Sequence, residues 1–292
     1  MRLSNTRRER IAVLAVAAVL LLTLVSPAAA ITWGEPDSDH TNVGAIVVRW
    51  DGQLVQVCSG TLTHQYVFLT AGHCTAFLNP PAPGITEIYV NFDQNALNEA
   101  TLRPVMAAIT HPNYGGPRSN PHDVGVLILE DPVTDITPAE LPDEGLLDEL
   151  NKAGDLRQGK EETDFVVVGY GGTLHWPPSP PDPKITYENQ RQVAESEYQS
   201  LLKAWLLMSQ NQATGDGGTC FGDSGGPAFW IDPESGQEIL VGLTSWGDAQ
   251  CVATGMDYRV DIPDSLDFIY GAIDDVDATL TELAKDWLES ED

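Results

Sequence analysis

The hexapeptide GDSGGP at residues 222–227 places Ser224 among three glycines and before a proline. Glycines let the backbone turn sharply, so the N–H groups of Gly222 and Ser224 can converge on one point. A hydroxyl beside two converging N–H groups suits acyl transfer, because the oxygen attacks a carbonyl while the N–H groups stabilise the oxyanion. Taken alone, the hexapeptide could also be an ordinary turn.

Two segments further upstream supply the groups that activate a serine. TAGHC at residues 70–74 places His73 beside a cysteine at a strand end, and HDVGVLIL at residues 122–129 places Asp123 before an apolar strand. A serine hydroxyl is a weak nucleophile at neutral pH and needs a base such as histidine, whose unperturbed pKa is about 6.5. A buried carboxylate holds the imidazole in the useful tautomer. Together the segments predict Ser224 as nucleophile, His73 as general base and Asp123 as the residue that orients the base.

These segments resemble the chymotrypsin/trypsin family of serine proteases, over about residues 31–269. The family has histidine, aspartate and serine in this order, whereas subtilisins and α/β-hydrolases use other orders. The resemblance implies two six-stranded antiparallel β-barrels packed face to face, with the active site in the cleft between them. It also implies a serine endopeptidase with polypeptide substrates, an acyl-enzyme intermediate, no cofactor and no metal site.

The distribution of apolar residues independently predicts an all-β fold. Short runs rich in β-branched and aromatic residues alternate with glycine, proline, asparagine and aspartate, which is typical of a sandwich or barrel. The absence of helix-strand alternation argues against a parallel α/β sheet. The runs are residues 44–57, 66–70, 88–92, 124–129, 165–168, 206–209, 228–231 and 239–246.

We expect five segments along the chain. They are a signal peptide at 1–30, an N-terminal barrel at 31–136 with His73 and Asp123, an acidic connection at 137–162, a C-terminal barrel at 163–262 with Ser224 and the specificity pocket, and a helix at 263–292.

The last segment is predicted to be an amphipathic helix, with Asp264 or Ser265 as its cap after Pro263. Packing of its apolar stripe on the barrels is the favoured interpretation, and a seam for self-association is the alternative. The stripe consists of Leu266, Ile269, Ile273, Val276, Leu280, Leu283 and Trp287.

The first 30 residues have the pattern of an export signal. Four arginines precede an apolar run of 15 residues at 11–25, and small residues lead up to Ala30. An uncleaved membrane anchor is the alternative, but a run of this length is too short for a confident span. We therefore expect a secreted, extracellular protein without membrane attachment after cleavage.

The chain is strongly acidic, with a formal net charge of −28 from 43 acidic and 15 basic residues. Such a protein repels phosphate backbones, which argues against nucleic-acid binding, and it is disfavoured at anionic lipid surfaces. The acidic residues favour solubility in an exposed compartment, with adaptation to salty surroundings as the alternative.

Four cysteines, an even number in an exported chain, predict two disulfides, and three pairings are open from the sequence alone. Metal binding is a weak alternative, because neither a CxxC nor an HxxxH spacing occurs. The family resemblance implies the pairs Cys58–Cys74 and Cys220–Cys251.

The same resemblance implies a substrate-binding region. Gly218 would form the floor of the specificity pocket and Gly247 and Gly255 its walls, so that the pocket is open and uncharged. Ser245 would support Asp123 by a hydrogen bond, and the backbone of Ser245 and Gly247 would pair with an extended substrate. Trp246 would contact substrate, pack in the core, or both. Cleavage after apolar or aromatic residues is expected.

Asp257 departs from the family pattern, because it stands where an aromatic residue is usual. If its carboxylate entered the pocket, the pocket would favour basic residues. The preferred interpretation is an exposed loop acid, since unpaired carboxylates are seldom buried.

Cleavage after Ala30 would create a new amino terminus at Ile31. In the resembled family such an amine enters the protein and pairs with the aspartate that precedes the serine, here Asp223. We therefore expect export itself to activate the protein. The alternative is that Ile31 is simply a buried first residue.

Three functions are compatible with these motifs. Silent relatives used for binding usually lose a triad residue or the glycines, and this chain keeps all of them, so an active endopeptidase is preferred. An esterase would use the same acyl-enzyme chemistry and stays open at this stage.

Overall fold

A computed structural model describes residues 31–159, 164–174 and 185–290, with the side chains of residues 164, 174 and 283–290 left out. The expected signal peptide at residues 1–30 lies outside the described residues. So do residues 160–162 of the acidic connection, residue 163 at the start of the predicted C-terminal barrel, and residues 291–292 at the end of the predicted helix.

The described segments contain fifteen strands and three helices. Those of the first half are β1 (Glu35–Pro36), β2 (Val43–Trp50), β3 (Gln53–His64), β4 (Val67–Thr70), α1 (Gly72–Leu78), β5 (Ile85–Asn91), β6 (Arg103–Thr110) and β7 (Gly125–Leu129). Those of the second half are α2 (Leu146–Ala153), β8 (Asp164–Gly169), β9 (Thr173–Leu174), β10 (Ile185–Thr186), β11 (Gln192–Leu201), β12 (Trp205–Ser209), β13 (Pro227–Ile231), β14 (Glu238–Gly247), β15 (Thr254–Arg259) and α3 (Pro263–Ser290).

The strands form two closed antiparallel barrels, which confirms the predicted fold class. The first barrel runs β2-β3-β4-β7-β6-β5 and closes through pairing of β5 with β2. The second runs β8-β11-β12-β15-β14-β13 and closes because β8 pairs with both β11 and β13. Strand β1 extends the second barrel by pairing with β11.

Local sequence explains the hairpin between β2 and β3 of the first barrel. Strands β2 and β3 are joined by Asp51 and Gly52, whose φ angles are 48° and 84°. Two positive φ angles characterise the type I′ turn, whose twist matches the twist of the flanking strands, and an Asp-Gly pair favours it. The turn fixes the register in which Trp50 pairs with Gln53.

Three hydrophobic clusters hold the structure together. One fills the first barrel around Phe68 and Leu127, and another fills the second barrel around Phe165 and Leu206. The third lies between them and combines residues of both barrels with the start of α3. Burial at this joint therefore couples the two barrels whose loops carry the catalytic candidates.

Helix α3 begins at Pro263, so the prediction that Asp264 or Ser265 caps it is wrong. Proline is suited to the first helical position because its φ is already fixed there. The Ser265 hydroxyl donates instead to the carbonyl of Arg259 at 2.7 Å. Leu266 and Ile269 are buried between the barrels, in agreement with the packing interpretation. No helix in the described ranges has both the length and the apolar content to cross a membrane.

Both disulfides implied by the family resemblance are formed. Cys58–Cys74 joins β3 to α1, with the two Cα atoms 6.4 Å apart. Cys220–Cys251 joins the segment before Ser224 to the loop before β15, with its Cα atoms 5.3 Å apart. The first bridge therefore anchors the helix that carries His73, and the second borders the segment that carries Ser224.

A buried arginine connects the N-terminal segment to both barrels. Nε of Arg191 donates to the Asp37 carboxylate at 2.8 Å, and both side chains are 3% exposed. A terminal nitrogen of the same guanidinium donates to the carbonyl of Phe92 at 2.9 Å and to the hydroxyl of Tyr170 at 3.2 Å. The guanidinium is thus well satisfied, and its charge depends on Asp37 for compensation.

Asp37→Ala should lower the free energy of unfolding by about 3–5 kcal/mol, because it leaves the Arg191 charge buried without its partner. Burial acts to raise the pKa of Asp37, but His40 and Arg191 together lower it to about 2. The carboxylate is therefore charged at neutral pH. Denaturant unfolding at pH 7 measures the loss, and Asp39→Ala, an exposed neighbour, is the control. Equal stabilities of the two variants would contradict this role.

Candidate active site

The register of the first barrel brings His73 and Asp123 together. Strands β4 and β7 are antiparallel, and Thr70 at the end of β4 pairs with Gly125 at the start of β7. His73 lies three residues after Thr70 and Asp123 two residues before Gly125, so both lie at the same end of the barrel. Nδ1 of His73 lies 3.0 Å from Oδ2 of Asp123, and its backbone N–H donates to Oδ1 at 2.8 Å.

Asp123 receives a third hydrogen bond from the second barrel. The Ser245 hydroxyl on β14 donates to Oδ2 of Asp123, as the resemblance implies. Asp123 is only 4% exposed. Burial acts to raise its pKa, but the hydrogen bonds and charge of His73 and the hydroxyl of Ser245 lower the pKa below its usual value. Asp123 is therefore an ionised carboxylate at neutral pH.

The turn that carries Ser224 is attached to both barrels. The Ser224 carbonyl accepts from the backbone N–H of Ser59 on β3 at 2.9 Å, and Gly225 donates to the carbonyl of Thr244 on β14 at 2.7 Å. Ser224 and His73 border the same cavity of about 770 Å³. Among the described residues no hydrogen bond joins their side chains. Such catalytic bonds are often long in unliganded sites and tighten when substrate binds.

The N–H group of Gly222 points away from the segment around Gly172 that supports the turn. The Phe221 carbonyl accepts from Gly172 at 2.8 Å. In a trans peptide the following N–H points the opposite way, so the Gly222 N–H faces away from Gly172. Neither this N–H nor that of Ser224 donates to another group in the described parts of the chain. Both are free to bind an oxyanion.

Two supporting residues of this turn were missed by the sequence analysis. Nε2 of Gln56 and the Ser59 hydroxyl donate to the Gly222 carbonyl at 2.8 and 3.0 Å. They come from β3 of the other barrel. The position of Ser59 directly after Cys58 was a usable signal, whereas nothing local distinguishes Gln56.

The end of β14 offers a free strand edge. Pairing of β14 with β13 ends at Leu243, so residues 245–247 keep unpaired backbone groups on that side. Trp246 is 55% exposed, which excludes a purely core role, and its ring meets that of Trp205 edge-on at 6.2 Å. This edge can accept an additional extended chain.

A second cavity, of about 220 Å³, opens beside Ser224. Its wall includes Thr219, Thr244 and Gly247, together with the Cys220–Cys251 bridge. Gly247 therefore lies where the resemblance implies a pocket wall.

Gly218 and Gly255 do not border this cavity. A Cβ atom built on Gly218 would lie 2.2 Å from Cγ of Gln210, and one built on Gly255 would lie 2.9 Å from its Nε2. The expectation that these two glycines leave the pocket open is therefore wrong. The Gln210 side chain fills the space beside them.

Asp257 is neither an exposed loop acid nor part of the pocket wall. It lies on β15 opposite Leu206 and Thr244, and its side chain is fully buried in the second barrel. Both carboxyl oxygens lack a hydrogen-bond partner. Burial raises the pKa of Asp257 to about 8, because the charged form would be neither solvated nor paired.

Asp223 is also fully buried, directly before the nucleophile. Its carboxylate accepts from the backbone N–H groups of Gly171 at 2.7 Å and of Cys220 at 2.8 Å. Burial nevertheless raises the pKa of Asp223 to about 7. Ile31 is buried too, but its nitrogen donates to Oε1 of Gln192 at 3.2 Å. With Ala30 attached, this nitrogen is a peptide nitrogen and not an amine.

Apart from His73 with the disulfide-bonded Cys58 and Cys74, one cluster of metal-ligating groups among the described residues lies near the triad. His111, His122 and Asp264 have donor atoms within 4.8 Å of one another. However, Nδ1 of His111 accepts from the backbone N–H of Asn113 at 3.2 Å, which leaves the proton of the neutral ring on Nε2. Nε2 could bind a metal only through a lone pair, and in this tautomer the proton occupies that position. The cluster therefore fits a hydrogen-bonded link between α3 and the segment before Asp123.

Comparisons with known proteins agree with this geometry. The family model described as Trypsin matches residues 31–269. The trypsin of Saccharopolyspora erythraea is 29% identical over 223 residues, which cover 74% of this chain and 85% of that protein. Vitamin K-dependent protein C of Oryctolagus cuniculus is 27% identical over 252 residues, which cover 80% of this chain and 50% of that protein. Its counterpart in Mus musculus is 30% identical over 217 residues, which cover 68% and 42%. The chain thus spans half or less of the length of these two relatives.

The free energy of unfolding of the Asp257→Asn variant should rise relative to that of the natural chain as pH rises. The carboxyl group loses its proton near pH 3.8 when unfolded but only near pH 8 when folded, so the folded state binds more protons between these values. Its contribution to the free energy of unfolding therefore falls as pH rises through this window, and an amide does not titrate. Denaturant unfolding from about pH 4 to about pH 8 measures the difference. Exposed Asp131→Asn is the control, and parallel curves for all three proteins would contradict the assignment.

Proposed function

The chain belongs to the trypsin family of serine proteases, and we propose from that premise that it is an active, secreted endopeptidase. One observation carries the proposal. The imidazole of His73 is bonded to a buried carboxylate on one side and borders, on the other, the cavity that also contains Ser224. This is the arrangement that converts a weak hydroxyl nucleophile into a reactive one.

In the proposed reaction the Ser224 oxygen attacks the substrate carbonyl carbon while Nε2 of His73 takes the hydroxyl proton. Nδ1–H of His73 stays donated to Asp123, which stabilises the imidazolium. The N–H groups of Gly222 and Ser224 bind the oxyanion of the tetrahedral intermediate. His73 then protonates the leaving amine, and an acyl-enzyme ester remains on Ser224. Water, activated by the same imidazole, hydrolyses this ester and releases the acid.

The substrate is proposed to be a polypeptide that adds as a strand to the free edge of residues 245–247. The side chain before the scissile bond would enter the cavity of about 220 Å³. The one carboxylate on its wall, Asp248, is engaged by its own loop, since Oδ2 accepts from Ala253 at 2.8 Å and from Val252 at 3.1 Å. The pocket therefore favours apolar or aromatic side chains over basic ones.

The part of the substrate that leaves first would lie in the larger cavity. Its wall combines apolar side chains with the Cys58–Cys74 bridge, and it lies on the side of Ser224 away from residues 245–247. Apolar residues are favoured there as well, because burial of both surfaces is gained on binding. The apolar side chains include Leu54, Val57, Phe77 and Leu97.

Secretion is proposed from the sequence of residues 1–30 and from the two disulfides. Disulfides form and persist in oxidising compartments, which exported proteins reach.

The proposal also covers activation of the protein by removal of residues 1–30. Asp223 is buried with no cationic partner among the described residues. Ile31 is buried too, and its neighbour Thr32 pairs with Gly218, which lies five residues before Asp223. An amine at Ile31 would supply the missing positive charge.

Ser224→Ala should abolish labelling by a fluorophosphonate and reduce turnover to the level left by binding and the oxyanion site. Asp123→Asn should keep the fold but lower kcat by about 10⁴, because the imidazole loses its tautomer control. Labelling and hydrolysis of a peptide library measure both effects. Asp131→Asn, which changes an exposed acid just after β7, is the matched control.

The same assays separate the alternative functions. A natural chain that neither labels nor cleaves would favour the silent binding protein, and ester cleavage alone would favour the esterase.

A mature chain that begins at Ile31 should be active, and one with a single extra alanine before Ile31 should be nearly inactive. The extra residue displaces the amine from the depth at which it can pair with Asp223, and the oxyanion turn then loses its support. Peptidase assays on the two chains, with their first residues verified by mass spectrometry, measure the effect. Full activity of the extended chain would refute activation by export.

A further inference from the structure

Gln210 is buried between two glycines, and its side-chain amide is hydrogen-bonded to Thr219, a residue of the specificity cavity's wall. Gln210 follows β12 directly and is 2% exposed. A Cβ atom on Gly218 would lie 2.2 Å from its Cγ, and one on Gly255 would lie 2.9 Å from its Nε2. Both distances are shorter than carbon–carbon or carbon–nitrogen contact permits. The two glycines are therefore what makes room for this side chain.

Gln210 is held through its backbone and through one atom of its side-chain amide. Its backbone N–H donates to the carbonyl of Ala253 at 3.0 Å. In the side chain, Nε2 donates to the carbonyl of Thr219 at 2.9 Å. Thr219 is itself part of the cavity wall. The amide thus lies directly behind a residue that substrate would touch, and it cannot move away without losing a buried hydrogen bond.

We propose that Gln210 sets the depth of the specificity cavity and is its floor-determining residue, in place of a side chain at Gly218. The inference rests on the proposed peptidase function, since depth matters only if a substrate side chain enters. Gln210 carries no charge, so it limits the length of an apolar side chain without attracting a basic one. No side chain at Gly218 or Gly255 would fill the space if Gln210 were shortened.

The first test compares specificity. Two peptides that differ only in leucine or tyrosine before the scissile bond are assayed with the natural chain, Gln210→Ala and Gln210→Asn, each purified from an exporting host. Gln210→Ala should raise the ratio of kcat/KM for tyrosine over leucine by at least about tenfold, the usual value of one or more methylene groups in such a pocket. Gln210→Asn should shift the ratio in the same direction by less, and it carries the test if the alanine variant does not fold.

Two variants separate depth from other effects. Gln210→Met keeps the length of the side chain and should leave the ratio within about threefold of the natural value. Gln212→Ala removes an exposed glutamine two residues away and should leave it unchanged. If the natural chain is active but neither Gln210→Ala nor Gln210→Asn changes the tyrosine-to-leucine ratio, the inference about Gln210 is wrong and the proposed function stands. A natural chain that neither labels with fluorophosphonate nor cleaves would overturn the proposed function and, with it, the inference.

The second test needs no activity. Gly218→Ala should lower Tm by several degrees, because the new methyl group collides with a glutamine that cannot withdraw. In the Gln210→Ala background the same substitution should cost much less, so the two changes should be strongly coupled. Additive effects on Tm would contradict the placement of Gln210 against Gly218.

Discussion

The buried carboxylate of Asp123 is the group on which the geometry of this site depends. A charge removed from water must be satisfied by hydrogen bonds, and Asp123 is satisfied by donors from two separate barrels. His73 supplies its ring and backbone N–H from the first barrel, and Ser245 supplies its hydroxyl from the second. The joint between the barrels is therefore fixed where the imidazole must be oriented. Separation of the barrels would leave an ionised carboxylate partly unpaired.

Comparison of three buried aspartates shows that local donors, and not burial alone, decide the charge. Asp123 receives three hydrogen bonds and its pKa is lowered. Asp223 receives two from backbone N–H groups and its pKa rises to about 7, while Asp257 receives none and its pKa rises to about 8. The protein thus keeps one acid ionised beside the nucleophile and holds another nearly neutral in the barrel. At Asp223, the intermediate case, an added cation would favour the charged form.

The triad candidates were predictable from contiguous motifs, and the two barrels and both disulfides were predictable from the family resemblance that those motifs carry. Features that depend on contacts between distant strands were not. Strand β11 (Gln192–Leu201) was missed, because glutamates alternate with its inward residues and no apolar run forms. Asp257 was expected at the surface, since the sequence does not reveal that its side chain faces the barrel interior. The role of Gln210 likewise depends on its contacts with two glycines, one eight residues away at 218 and one 45 residues away at 255, both of which were expected to leave the pocket open.

Nitrogen NMR of the His73 ring in the natural chain tests most directly whether Asp123 controls the imidazole. With the carboxylate accepting at 3.0 Å, the neutral ring should carry its proton on Nδ1 and leave Nε2 with a free lone pair toward Ser224. A neutral ring protonated on Nε2 would contradict the account, because such a ring could not take the serine proton.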